Sequence, residues 1–492
     1  MTPSLREGDL YALGAAAGTL LALGLALAVG VVPLMAEGSA RNGSELLSLL
    51  LLGLGSAAAV VLLLRVEPAW PFSLGIAAMI FSNNWANAGS PVPIDRVLIA
   101  TGLLSLILRA RSPRDVLGQK PSGVHLILIC AALYAICSAV LVGSIGDSNA
   151  RFALLDRYGI LPFILFAVAP AAFPDAKSRR ILLWTLTAVG AYLAYTSILG
   201  KIGPKSLVFP QYIVDPGIGI HADRARGPFV EAASDGLALF ECGVAAAMLF
   251  ATALDRRVRV VAAAIVLACG LSIVLTLTRS VWIGSAVAAV VTLLAARETR
   301  RYFAPVAVAG VLVVVSAFAV IPGLRGEANA RTNDESPIWD RKNANRAAIE
   351  MVKEQPLVGL GWASFRDEVS GYIRLGDDYP VTRGDLAAHN VFLANAADLG
   401  LIGVTIWVAA LAWAVGGPIV RRGPPELRLW KIGLLAIAAQ WFVIAKFVPL
   451  GYAFPNALLW LWAGVAWGVS TAPQPNASRF EIAPKLTYSP AR

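Results

Sequence analysis

The chain holds only three histidines, His125, His221 and His389. His389 lies in Ala388-His389-Asn390-Val391-Phe392-Leu393, where a long polar stretch gives way to an apolar one. An imidazole at such a boundary titrates near neutral pH and suits a general base. His125 opens an apolar segment and His221 lies in a polar loop, so these two read as interfacial and surface residues. Arg279 stands out because Leu277-Thr278-Arg279-Ser280 separates two apolar runs. An arginine at membrane depth is costly enough to mark a functional site. Arg224 and Arg226, in Ala222-Asp223-Arg224-Ala225-Arg226-Gly227-Pro228-Phe229, precede a further apolar run. A guanidinium presents a planar fork of donors that matches phosphate oxygens. Arginines and one base on a single membrane face fit a lipid-linked diphosphate donor. The arginines would neutralise the leaving diphosphate, and the base would take the proton of an acceptor hydroxyl. Such chemistry needs no metal, and no acidic pair or histidine cluster with ligand spacing stands out on that face. No metal or other cofactor is expected.

A membrane must position these residues. Hydrophobic residues make up 57% of the 492 and charged ones 15%, against about 45–50% and 25% in soluble domains. This excludes a soluble globular protein, a disordered chain and a secreted disulfide scaffold. Spans of about 20 apolar residues are predicted near 11–35, 46–64, 124–144, 158–174, 181–200, 235–254, 260–278, 281–296, 303–322, 398–416 and 430–448. Shorter or interrupted ones fall near 70–83, 96–108 and 456–470. The expectation is an all-α polytopic membrane protein with about 12–14 transmembrane helices. A membrane β-barrel is excluded, since its strands would alternate over about ten residues. The first run is too long for a signal-peptide core and reads as a membrane helix. Cys130, Cys137, Cys242 and Cys269 each lie inside an apolar stretch without metal-ligand spacing and read as buried free thiols.

The net charge of +10 would suggest nucleic acid in a soluble protein. Here the charges lie between apolar segments, and no nucleic-acid partner is expected. The loops around 109–120, 175–180, 255–259, 297–301 and 421–431 carry seventeen Lys and Arg against five acids. Counting spans places all five on one face, assigned to the cytoplasm with both termini. The opposite face then carries two long connections, 201–234 and 322–389. The second has nine basic and eleven acidic residues, like a soluble surface. Within it 340–354 is predicted as a helix, with Ala344, Ala347, Ala348, Met351 and Val352 along one stripe. Pro356 ends that helix, and Gly359 and Gly361 make a turn before Trp362 and Phe365.

At these residues the chain resembles the O-antigen ligase and polymerase family of bacterial envelope glycosyltransferases. Arg224-Ala-Arg-Gly227-Pro-Phe229 with Gly236 is similar to the family's R-x-x-G-x-F stretch, although Ala232-Ala233 replaces its usual Pro-Asn pair. Leu277-Thr278-Arg279-Ser280-Val281-Trp282 resembles its Ser-Arg turn. Arg341 followed by Pro356-Leu-Val-Gly359-Leu-Gly361-Trp362-Ala-Ser-Phe365 resembles R…P-x-x-G-x-G-x-x-x-F. His389-Asn390-Val-Phe-Leu393 with Leu399-Gly400-Leu-Ile-Gly403 resembles H-N-x-x-L…G-x-x-G. The resemblance implies a GT-C-like helical membrane protein that transfers a glycan from undecaprenyl diphosphate, without nucleotide sugar or metal. It implies His389 as base and Arg224 and Arg279 as diphosphate ligands. Arg226, Arg341, Arg383 and Asn390 are further candidates.

The implied partners are a lipid-linked oligo- or polysaccharide donor, a glycan, lipid or protein acceptor, and membrane lipids. A ligase and a chain-extending polymerase of the same family fit these motifs equally. A transporter or flippase of lipid-linked sugars is the rival of another class. It predicts polar groups along several helices, whereas these spans are nearly free of charge, with Glu241 the main exception. The expected organisation is N-terminal helices over 1–200 and an Arg-bearing region over 201–322. A large extracytoplasmic loop follows over 323–390, then C-terminal helices over 391–470 and a cytoplasmic tail over 471–492. The expected location is the cytoplasmic membrane, with the site facing the periplasm or cell exterior.

Overall fold

The computed structural model describes residues 65–333, 335–373 and 388–468. The spans expected at 11–35 and 46–64, the tail and Arg383 lie outside these residues. The described chain is helical, without a strand. The helices used below are α1 Ala69–Ala78, α2 Ile94–Arg109, α3 Gly123–Leu141, α4 Ile160–Ala172, α5 Ala176–Ile202, α6 Ala232–Thr252, α7 Arg256–Leu275 and α8 Arg279–Ala295. They continue as α9 Phe303–Val320, α10 Leu324–Asn333, α11 Ser336–Glu354, α12 Ser364–Tyr372, α13 Val391–Leu411, α14 Arg428–Ile444 and α15 Ala453–Trp467. Among the described residues eight helices are long and apolar enough to cross a membrane. With the shorter apolar helices 69–81 and 279–295, they make this an all-α polytopic membrane protein.

Contacts sort the connections into two ends. At one, Lys177 pairs with Glu67 (2.5 Å), Arg428 with Glu298 (2.6 Å), and Arg109 donates to the Val66 carbonyl. At the other, Lys201 pairs with Glu327 (2.6 Å), Asn84 donates to Pro228 O, and Val391 N donates to Ala445 O (2.9 Å). This sorting is the one that span counting gives. The core between the ends is tight because its contacts are small or aromatic. Trp362, Trp407 and Trp462 are among the largest fully buried side chains.

Three details differ from the sequence reading. Cys130 and Cys137 are exposed on α3 rather than buried, because α3 turns one face out of the bundle. Glu241 is fully buried, but neither oxygen has a hydrogen-bond partner among the described residues. It is also less isolated than expected, since Asp156, Asp235 and Asp398 are buried in helical segments too. The predicted helix in the large loop begins earlier, at Ser336, and ends at Glu354 before Pro356. Its Ala344, Ala347, Ala348 and Met351 are fully buried against Phe365, Val369, Ala388, Ala394 and Ala397. The loop thereby forms a small second core on the start of α13.

α13 is broken at Gly400, whose φ of 65° and ψ of −177° only glycine adopts readily. Residues 356–361 fill the break. Leu360 N donates to Ala397 O, Gly361 N to Asp398 O, Leu401 N to Pro356 O and Ile402 N to Leu357 O, at 2.8–3.2 Å. A Cβ on Gly400 would stand 2.3 Å from Leu357 O, and one on Gly359 2.4 Å from Gly400 N. The P-x-x-G-x-G and L-G-x-x-G stretches are two halves of one backbone clasp.

Candidate active site

The Thr-Arg turn is built by α7 stopping at Leu275 and α8 starting on Arg279 itself, so Arg279 is a helix residue rather than a turn residue. Leu277 takes a left-handed conformation (φ 49°). Thr278 Oγ1 donates to Thr276 O (2.9 Å), and Trp282 Nε1 donates to Ile273 O (3.0 Å), which folds the turn back on α7. Thr278 flanks the helix start without a side-chain cap. The buried Ser280 hydroxyl has no hydrogen-bond partner among the described residues. An uncapped helix N-terminus carries partial positive charge and free N–H groups, which favour an anion.

The arginine stretch lies against this turn. Ala225 N donates to Leu275 O (3.1 Å), and Ala225 packs with Val274 and Leu277. Arg224 is half-buried and lines a small cavity with Thr196, Ser197, Lys205 and Gly227. Arg226 is committed elsewhere. Its guanidinium donates to Ile213 O (3.1 Å), Ile218 O (2.6 Å), Ile220 O (3.5 Å) and Asp215 O. These bonds use Nε, Nη1 and Nη2 to hold the 213–220 loop. Downstream, Glu231 caps α6 through Ala233 N and Ser234 N. Gly236 meets α8 so closely that a Cβ would lie 2.4 Å from Val281 Cγ1. The family-like glycine at 236 is thus what lets the first turns of α6 and α8 touch.

Arg341 is on α11 and half-buried. Burial, and then the positive charge of Arg279, lower its pKa from the usual arginine value. The two guanidiniums thus lie within each other's field. Neither has an ion-pair partner among the described residues, and Arg341 Nε is buried without a hydrogen bond. Two like charges held this way repel until an anion joins them.

His389 is half-buried beside Ala388, which is part of the α11–α13 core. Asn390 accepts from Phe392 N (3.1 Å) and Leu393 N (3.3 Å), so it is the cap of α13. Val391 N bonds to Ala445 O at the end of α14. α14 packs along α8, where Gly284 faces Gln440 and Ile444 and Gln440 Nε2 donates to Ser285 Oγ (2.8 Å). The His389 segment and the start of α8 therefore share one end of the bundle. His125, by contrast, is buried, and its Nδ1 accepts from Ser122 N (3.2 Å) at the opposite end. His221 is exposed.

Sequence reasoning missed a buried ion-pair group beneath the loop. Arg157 Nη2 lies 3.5 Å from Asp398 Oδ2, and its guanidinium covers the Trp362 ring at 5.1 Å. Asp398 Oδ1 accepts from Phe365 N (2.8 Å). Arg96 pairs with Asp156. The available signal was the charge itself: Asp398 lies eight residues into a helix with no other charged residue, and such groups are rarely idle.

Residues 238–408 match the family described as O-antigen ligase. No curated protein matches the chain. The matched stretch contains Arg279, Arg341, the 356–365 clasp and His389, and begins after Arg224. From within α6 to near the end of α13, the chain is thus similar to the family described as O-antigen ligase.

Proposed function

We propose that the protein transfers a glycan from a polyprenyl-diphosphate carrier to an acceptor hydroxyl, as an O-antigen ligase-like enzyme. The observation that carries this reading is Arg279 opening the uncapped start of α8, against which the arginine stretch is seated by the Ala225–Leu275 bond, at the end where the His389 segment is pinned. In the reaction the acceptor oxygen bonds to the anomeric carbon, and its proton passes to His389. The bond from that carbon to the diphosphate oxygen breaks, and polyprenyl diphosphate leaves. Arg279 and Arg341, with Arg224 at the flank, hold the charge that develops on the leaving group. The basic excess at the opposite end supports placing this end outside the cytoplasmic membrane. The test is transfer by purified protein in liposomes, with lipid-linked glycan as donor. Wild type should release polyprenyl diphosphate, whereas His389→Ala and Arg279→Ala should not. Glycan crossing the bilayer without release of polyprenyl diphosphate would overturn the reading in favour of a flippase.

A further inference from the structure

We propose that residues 356–361 of the large loop form a re-entrant segment. Its tip, Leu357 and Val358, inserts among the acyl chains of the leaflet at the His389 end. The depth follows from α3, which runs antiparallel to α13 and serves as a ruler. Gly123 meets the Trp413 ring (2.7 Å to a Cβ), Gly403 meets Tyr134 (2.5 Å), and Gly361 meets Val142 (2.2 Å). Tyr134 Oη also donates to Leu399 O (3.1 Å). At 1.5 Å per residue, Tyr134 lies about 16 Å from Gly123 along the helix, and Val142 about 12 Å further. The nineteen residues of α3 cover about 28 Å, close to the hydrocarbon thickness of a bilayer. The Gly400 break, level with Tyr134, thus lies well short of the membrane surface. The chain from Leu357 to Gly361, paired with 397–402, occupies the outer part of that depth.

Irregular backbone at such depth requires internal partners, and these are present. Besides the four bonds of the clasp, Gly359 N donates to Gln355 O (3.0 Å) and Trp362 N to Ser138 Oγ (3.0 Å). Leu357 and Val358 are nonetheless 62% and 55% exposed. The exposed Leu401 and Ile402, bonded to Pro356 and Leu357, and Val142, in contact with Gly361, belong to or adjoin membrane-crossing helices, so the tip continues a surface already turned to lipid. Lys353 and Glu354 precede it by one turn, and Glu354 accepts from Tyr372 Oη (2.5 Å). Their charges hold the rest of α11 at the headgroup level, so only the tip enters.

The test uses full-length protein in liposomes, with the exposed Cys130 and Cys137 replaced by serine. Single cysteines at Leu357→Cys and Val358→Cys carry an environment-sensitive fluorophore, and Ser370→Cys, at an exposed position of α12, is the reference. Phosphatidylcholine brominated in the upper acyl chain should quench the two tip labels several-fold more than the reference. Aqueous iodide should show the reverse order. Tip labels that iodide quenches as readily as the Ser370 label, with no bromolipid effect, would overturn the proposal. The two tip positions report independently, so poor folding of one variant leaves the other decisive.

Discussion

Replacing Arg279 by alanine separates a binding role from a structural one. Arg279 and Arg341 repel each other and have no acidic partner among the described residues. Removing Arg279 should therefore leave the empty protein as stable as wild type or slightly more so. Donor binding should suffer instead. A hydrogen bond to a charged group contributes about 1.5–3 kcal/mol, which is about a 10- to 150-fold loss of affinity. Donor at about 100 times its Kd stabilises wild type by about 2.7 kcal/mol. The same donor concentration should stabilise Arg279→Ala by only about 1.4 to 0.3 kcal/mol, by the same linkage relation. Arg279→Lys should fall between, because it keeps the charge and loses the fork. The assay is thermal unfolding in detergent with and without purified lipid-linked donor. An Arg279→Ala protein that melts well below wild type when empty, yet keeps its full donor shift, would refute the reasoning.

His389→Ala should lower transfer by about 10²–10⁴-fold while the donor-induced shift in unfolding temperature persists; loss of both would point to a collapsed site. Asp398→Leu alone strands Arg157 and should cost about 3–5 kcal/mol, whereas adding Arg157→Met should restore most of it, as read by thermal unfolding. Gly236→Ala forces a Cβ within 2.4 Å of Val281 Cγ1; a 1 Å shift of Arg279 would cost about 10²-fold in transfer, and Val281→Ala should rescue it. A cysteine at Ser370 should react with an impermeant maleimide in intact cells with a permeabilised outer envelope, and labelling only after lysis would reverse the assigned orientation.

Charge against an apolar background made much of this protein readable. Arg279 and His389 stood out because nothing like them occurs nearby, and the helices followed from runs of about 20 apolar residues. What remained hidden depended on pairing across distance. Arg224 and Arg226 look equivalent in sequence, yet Arg226 is used up by carbonyls at 213, 215, 218 and 220. The pairing of 356–361 with 397–402 leaves no periodic signal, since each half alone reads as a turn. The depth of Leu357 follows from that pairing and was invisible with it. The outward face of Cys130 and Cys137 depended on which side of α3 found neighbours, and an all-apolar helix does not declare that.

α9 leads from the membrane into the large loop, yet Ala317 is its only fully buried residue. The loop is held on its downstream side by the 356–365 clasp and the start of α13, and on its upstream side by Leu324, buried with Leu275 and Leu277, and by the Lys201–Glu327 pair. Loop length enters chain-closure entropy only logarithmically, so residues added between α10 and α11 would change little in the site. One residue added between Leu357 and Leu360 would put the Leu360 and Gly361 bonds out of step with those to Pro356 and Leu357. Evolution and the protein engineer are thus offered a modular inlet and a rigid outlet: new segments can be spliced in before Ser336, but not between Pro356 and Trp362.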